Sequence, residues 1–125
     1  MKKLILAALV LLALAPAAFA QAHNHGDKKG PHGGAIQDVV GIEAQLVVAD
    51  RMLTVYVYEE SGKPVPAAGY SGSVLVGTGQ ARQVVQLAAG ADNMLSGTAG
   101  AAIPRGAPVT LQLKAPGGRS GQAKF

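Results

Sequence analysis

Short apolar runs separated by glycine and proline constrain the fold of this chain more than any other feature. Residues 52–58 (MLTVYVY) alternate, so that Leu53, Val55 and Val57 face one side of a strand and their neighbours face the other. Six further runs predict strands, at residues 42–48, 71–76, 83–87, 94–98, 109–114 and 121–125. Short strands spaced by about 8–12 residues are typical of antiparallel sandwiches and barrels. We therefore predict an all-β domain over residues 35–125, a single immunoglobulin-like antiparallel β-sandwich of seven or eight strands.

The first 20 residues have the organisation of an export signal. Met1-Lys2-Lys3 is basic, residues 4–15 are apolar, and Ala18-Phe19-Ala20 has the small-x-small pattern that signal peptidase recognises. The apolar run is shorter than the about 20 residues that a membrane span needs. We therefore expect a signal peptide over residues 1–20, a mature chain that begins at Gln21 without a membrane span, and a periplasmic location. An uncleaved anchor is the alternative.

Composition argues against several functional classes. Apart from Lys2 and Lys3, the basic residues are scattered, nearly balanced by acidic residues and not interleaved with aromatic residues, so we expect no nucleic-acid partner. There is no cysteine and hence no disulfide. Gly77-Thr78-Gly79 lacks the third glycine and the helix of a phosphate-binding loop, and we expect no organic cofactor. Met52 and Met94 are isolated, and we expect them to fill gaps in the core.

All three histidines of the chain lie in a polar, glycine-rich arm over residues 21–34, which we expect to be flexible unless something ties it down. His23 and His25 project to the same side of an extended segment, and His32 follows the bend at Gly30-Pro31. A flexible loop could bring the three imidazoles to one ion. Any Ser-His-Asp arrangement would have to use a histidine from this arm, which conflicts with the preorganisation that catalysis requires, so we predict no enzyme activity.

Other groups near the arm could complete a metal site. Asp27 lies between the histidines, and Asp38 or Glu43 on the first strands could close the ligand shell of a copper, nickel or zinc ion. If cleavage follows Ala20, the amine of Gln21, two backbone amides and His23 form a square-planar chelate that selects Cu(II) or Ni(II) over Zn(II). Cyclisation of Gln21 would remove that chelate. The alternative is a solubilising arm whose residues 31–34 only shape the approach to the first strand.

The chain resembles small periplasmic proteins of proteobacteria and the amino-terminal β-domain of adaptor (membrane-fusion) subunits of heavy-metal efflux pumps. The resemblance rests on residues 31–34 (PHGG), 41–48 (GIEAQLVV), 53–58 (LTVYVY) and 61–65 (SGKPV). It implies a periplasmic β-domain that handles divalent metals, with His32 matching the His-Gly-Gly motif and Glu43 as a second ligand. It also implies an envelope efflux component as a partner.

The chain departs from those adaptors in having no coiled-coil hairpin, no lipoyl-like domain and no methionine set for copper(I). These departures leave two interpretations, a free-standing metal carrier or accessory and a domain that never had a role in metal handling. The sequence thus predicts a periplasmic metal-binding or metal-resistance protein that captures a divalent transition metal through its amino-terminal histidines. Its binding should fade below about pH 6, where imidazole becomes protonated. The alternative is a non-metal module that docks to an envelope protein or the cell wall through a sheet edge or a tyrosine face.

Overall fold

The computed structural model describes residues 29–125, and in this part of the chain the protein is all-β. The strands are β1 (Ile36–Val39), β2 (Ile42–Ala49), β3 (Met52–Tyr58), β4 (Ser71–Val76), β5 (Gln83–Ala89), β6 (Met94–Thr98), β7 (Val109–Lys114) and β8 (Ser120–Lys124). A single 3-10 turn, Gly79–Ala81, precedes β5, and residues 29–125 contain no α-helix. The bounds predicted for β3, β4, β6 and β7 are confirmed.

The eight strands form one antiparallel sheet in the order β1-β2-β3-β6-β5-β4-β7-β8. The three consecutive strands β4, β5 and β6 form a meander. β3 lies beside β6, and β7 lies beside β4. The meander forms a Greek key with β3, through the connection over residues 59–70, and a second Greek key with β7, through the connection over residues 99–108. The predicted antiparallel all-β class and the number of strands are therefore confirmed.

The sheet is barrel-like because β5 joins its two halves. Residues 83–87 of β5 pair with β4, whereas Ala88 and Ala89 pair with β6. At the other side the edges of β1 and β8 approach each other, since a Cβ atom added to Gly121 would lie 3.0 Å from Cγ2 of Val40. The strands thus make one nearly closed sheet, and the predicted immunoglobulin-like sandwich of two separate sheets is not confirmed.

The core fills the inside of this sheet. Leu53, Val55 and Val57 of β3 are fully buried, as their alternation predicts. Leu95 of the neighbouring strand β6 and Val74, Leu111 and Leu113 of β4 and β7 belong to the same core and are also fully buried. The residues between these on each strand point to the outer face, the side of the sheet directed away from the core.

β1 is the one strand that the sequence patterns did not predict. It is joined to β2 by a two-residue turn in which Val40 has φ 52° and Gly41 has φ 75°, and Val39 pairs with Ile42 across it. Positive φ at both central residues defines the type I′ hairpin turn. The hairpin places β1 beside β2 and brings the preceding loop, residues 29–35, over the outer face of the sheet.

Candidate functional site

A closed loop carries His32, the one histidine among residues 29–125. Lys29 and Ala35 form an isolated antiparallel bridge at the base of the loop. Within it the N–H of Gly30 donates to the carbonyl of Gly34, and the N–H of Gly33 donates to the carbonyl of Gly30, both with an N···O distance of 2.9 Å. The last residues of the predicted flexible arm are therefore hydrogen-bonded in the structure.

The side chain of Gln45 holds this loop on the sheet. Gln45 lies in the middle of β2 and is fully buried, although its side chain points to the outer face. The side-chain amide is assigned with its oxygen, not its nitrogen, towards the loop. In this orientation the oxygen accepts hydrogen bonds from the backbone N–H groups of His32 (N···O 3.1 Å), Gly33 (3.1 Å) and Gly34 (2.9 Å). Buried polar groups need such partners, so the amide and the loop satisfy each other.

Three glycines make this close approach possible. A Cβ atom on Gly30 would collide with the side-chain amide of Gln45, and one on Gly34 would collide with the carbonyl oxygen of Leu46. Gly33 has φ +82°, in the left-handed region that favours glycine. The Gly-Pro-His-Gly-Gly sequence is thus explained by the backbone geometry of the loop around Gln45.

The imidazole of His32 stacks on the ring of Tyr56. The ring centroids are 3.7 Å apart and the ring planes differ by 11°. Tyr56 is placed for this contact because it is the direct cross-strand partner of Gln45, so both side chains project from the same face. His32 remains exposed, and the imidazole is therefore held in position while it faces solvent.

Two carboxylates lie on the same outer face, at Glu43, two residues before Gln45 on β2, and at Asp38 on β1. Glu43 is opposite Asp38 on β1 and opposite Tyr58 on β3, and it is only 5% exposed. Both Asp38 and Glu43 are engaged in interactions. Within residues 29–125 no group of three or more His, Cys, Asp or Glu side chains is arranged to hold a metal ion. His32 and Glu43 thus share a face without making a complete ligand set between them.

The remaining predicted ligands, Gln21, His23, His25 and Asp27, lie outside the described residues.

Two residues of this site were missed by sequence reasoning. The sequence analysis gave Gln45 no role beyond its place in the predicted strand at residues 42–48, and it did not connect Tyr56 with the histidines. A signal for Gln45 exists, since an amide inside the apolar run IEAQLVV must find partners if the run is buried. No sequence signal links Tyr56 to His32, because the contact depends on strand register.

The methionines were placed wrongly. We expected Met52 and Met94 to fill gaps in the core, but both project from the outer face, and Met52 is 53% exposed. Met94 is the cross-strand partner of Tyr56. Gln45, Tyr56 and Met94 therefore form one row across β2, β3 and β6, and the His32 loop contacts the first two of them.

Comparison of the chain with protein-family models, with curated proteins and with solved structures finds no match. Nothing in the part of the chain that the structure describes forms a helix of the length and apolarity that crossing a bilayer takes.

Proposed function

We propose that this protein is an exported metal-binding protein that captures a divalent transition ion, Cu(II), Ni(II) or Zn(II), through its amino-terminal histidines. The single observation that supports this best is the presentation of His32. Its backbone is fixed by Gln45 and its ring by Tyr56, while the imidazole faces solvent. A ligand held in one place loses less conformational entropy on binding than a ligand on a free chain does.

The other ligands come from the arm ahead of the loop. His23 and His25 lie within nine residues of His32 in the sequence, which allows all three to reach one ion. Asp27, the amine of Gln21 or Glu43 would complete the shell. Imidazole nitrogens with one or two carboxylates suit borderline divalent ions rather than Mg²⁺ or Ca²⁺. In the proposed role the β-domain is the body that carries this site to an envelope efflux component.

Titration of the purified protein with each of the three ions, followed by calorimetry, tests the proposal. Changing His23, His25 and His32 together to alanine should abolish binding. Changing His32 alone should weaken it by roughly tenfold or more, because even loss of a residue behind a metal ligand costs about 10–100-fold. Acidification should weaken binding as well, because a protonated imidazole has no lone pair to offer.

The matched control is Asn24→Ala, which changes the same arm without removing an imidazole and should leave the affinity unchanged. Binding that survives the triple substitution would reject the proposal. Amino-terminal sequencing of the exported protein decides the role of Gln21, since the square-planar chelate needs a free amine at that residue.

For the fold, we infer that the two halves of the sheet correspond to the two sheets of an immunoglobulin-like sandwich. One half consists of β1, β2, β3 and β6, and the other of β4, β5, β7 and β8. An immunoglobulin-like division would require that β5 and β6 separate. Hydrogen exchange at Ala88 and Ala89 as slow as in the strand centres would argue against that division.

A further inference from the structure

Charge is unevenly divided along the described chain. Residues 29–70 contain three basic and five acidic side chains, whereas residues 71–125 contain five basic and one acidic. That acidic residue, Asp92, lies in the turn between β5 and β6, against the connection at residues 64–68. The half of the sheet formed by β4, β5, β7 and β8 therefore has two lysines and no acidic side chain on its strands.

The outer face of this half carries a row of uncharged hydrogen-bonding groups. Ser73 pairs with Gln86 of β5 and with Gln112 of β7, and Gln112 pairs with Gln122 of β8. Directly paired residues project from the same face, so these four side chains cross four neighbouring strands in one line. We call this row and the lysines beside it the amide face. A shallow depression of about 270 Å³ on it is lined by Ser73, Gln86 and Gln112 among others.

Two lysines lie on opposite sides of that row. Lys114 follows Gln112 by two residues on β7, and Lys124 follows Gln122 by two residues on the antiparallel strand β8. Their cross-strand partners are serines and a threonine, not carboxylates. At about 3.3 Å per residue, the two positions are roughly 13 Å apart along the strands. At this separation, a polymer with regularly spaced anionic groups can pair one such group with each lysine.

We propose that the amide face binds an acidic polysaccharide, a glycan chain that carries carboxylate groups. Its carboxylates would pair with Lys114 and Lys124, and its hydroxyls would exchange hydrogen bonds with the glutamine and serine side chains, each of which both donates and accepts. Paired strands are about 4.8 Å apart, a spacing similar to the length of one sugar unit in an extended chain. The amide row favours a glycan over a lipid surface, because membrane binding calls for a dense lysine cluster or several exposed apolar side chains. Among the large apolar side chains of β4, β5, β7 and β8, Val84 alone is exposed.

Binding of fluorescently labelled alginate oligosaccharides, measured by anisotropy with the purified protein, tests this proposal. The variant Lys114→Glu/Lys124→Glu should bind more weakly by about tenfold or more, because two weak attractions are replaced by two repulsions. The matched control is Arg51→Glu/Lys63→Glu, which makes the same change in net charge at exposed positions in the other half of the chain and should change the affinity by less than about twofold. Circular dichroism confirms that each variant is folded.

A second pair of variants separates hydrogen bonding from charge. Gln112→Ala/Gln122→Ala should weaken binding with both lysines present, and Gln80→Ala, in the 3-10 turn, should not. Neutral dextran should bind much more weakly than alginate. Equal loss in both charge-reversal variants would show attraction by net charge only and overturn the proposal. Binding to phosphatidylglycerol vesicles without binding to alginate would also overturn it. Neither result depends on metal binding by the histidines.

Discussion

Gln45 is the residue on which the His32 loop depends. A buried amide without partners costs about 1–3 kcal/mol, and backbone N–H groups without partners cost a similar amount each. Here one amide oxygen accepts from three consecutive N–H groups, of which that of Gly33 also donates to the carbonyl of Gly30, so the loop and β2 stabilise each other. The same contact explains why glycine occupies positions 30 and 34, where the loop backbone passes closest to β2.

Replacing Gln45 by methionine should therefore detach the loop. Methionine has a similar size and keeps the apolar contacts of the side chain, but it offers no strong acceptor to the three N–H groups. The free energy of unfolding should fall by about 1–3 kcal/mol, and amide exchange at residues 32–34 should accelerate. Denaturant titration and hydrogen exchange measure the two effects. Gln86→Met, on the exposed face of β5, is the control and should change neither. Unchanged exchange in Gln45→Met would contradict the role we assign to this amide.

At the scale of elements, turn chemistry explains which strands were predictable. Asp50 adopts φ 57° in the turn between β2 and β3, a conformation that Asp tolerates, and this turn separates the two runs at residues 42–48 and 52–58 that were predicted as strands. The turn between β1 and β2 is Val40-Gly41. A β-branched residue with positive φ is rare, so Val-Gly does not signal a type I′ turn as Asn-Gly does. β1 was missed for that reason.

Substitution of Gly41 tests how much the backbone conformation of this turn contributes to the free energy of unfolding. Nothing lies within 4 Å of a Cβ atom placed on Gly41, but its φ is +75°, so Gly41→Ala is strained by backbone conformation alone. We expect thermal or denaturant unfolding to show a loss of about 1–2 kcal/mol. Gly117→Ala is matched to it, because that position is equally open and lacks a positive φ. It should be neutral or stabilising by up to about 1 kcal/mol. Equal effects of the two substitutions would show that the turn is not formed as described.

At the scale of the whole molecule, the joint between β5 and β6 distinguishes a barrel from a sandwich. A Cβ atom on Gly97 of β6 would collide with the carbonyl oxygen of Gln86 and lie 2.8 Å from Cγ1 of Val85. The absence of a side chain at Gly97 thus lets β6 pass close to β5. This close passage makes the two halves of the sheet continuous.

Gly97→Ala should therefore destabilise the protein by about 1–3 kcal/mol, the usual cost of extra volume in a tightly packed region. Its neighbour Ser96 is exposed, and Ser96→Ala should change stability by no more than about 0.5 kcal/mol. Denaturant titration of both variants makes the comparison. If Gly97→Ala were as harmless as Ser96→Ala, β5 and β6 would not approach as closely as the barrel-like sheet requires.

The barrel-like sheet also separates the two proposed sites. The His32 loop lies on the outer face of β2 and β3, among residues 29–70, where acidic side chains predominate. The amide face lies on β4, β5, β7 and β8, where basic side chains predominate. A protein built in this way can hold a cation at one face and an anionic polymer at the other without direct competition between them.

The sequence by itself determined seven of the eight strands and the inward direction of Leu53, Val55 and Val57, because alternation with period two and Gly/Pro turns are local properties. It also identified the Gly-Pro-His-Gly-Gly segment as unusual. Only the tertiary structure decided that β5 pairs on both sides, that Gln45 holds the loop and that Tyr56 lies under His32. These features depend on strand order and register, which arise from contacts between residues distant in the chain and leave no periodic pattern within any one segment.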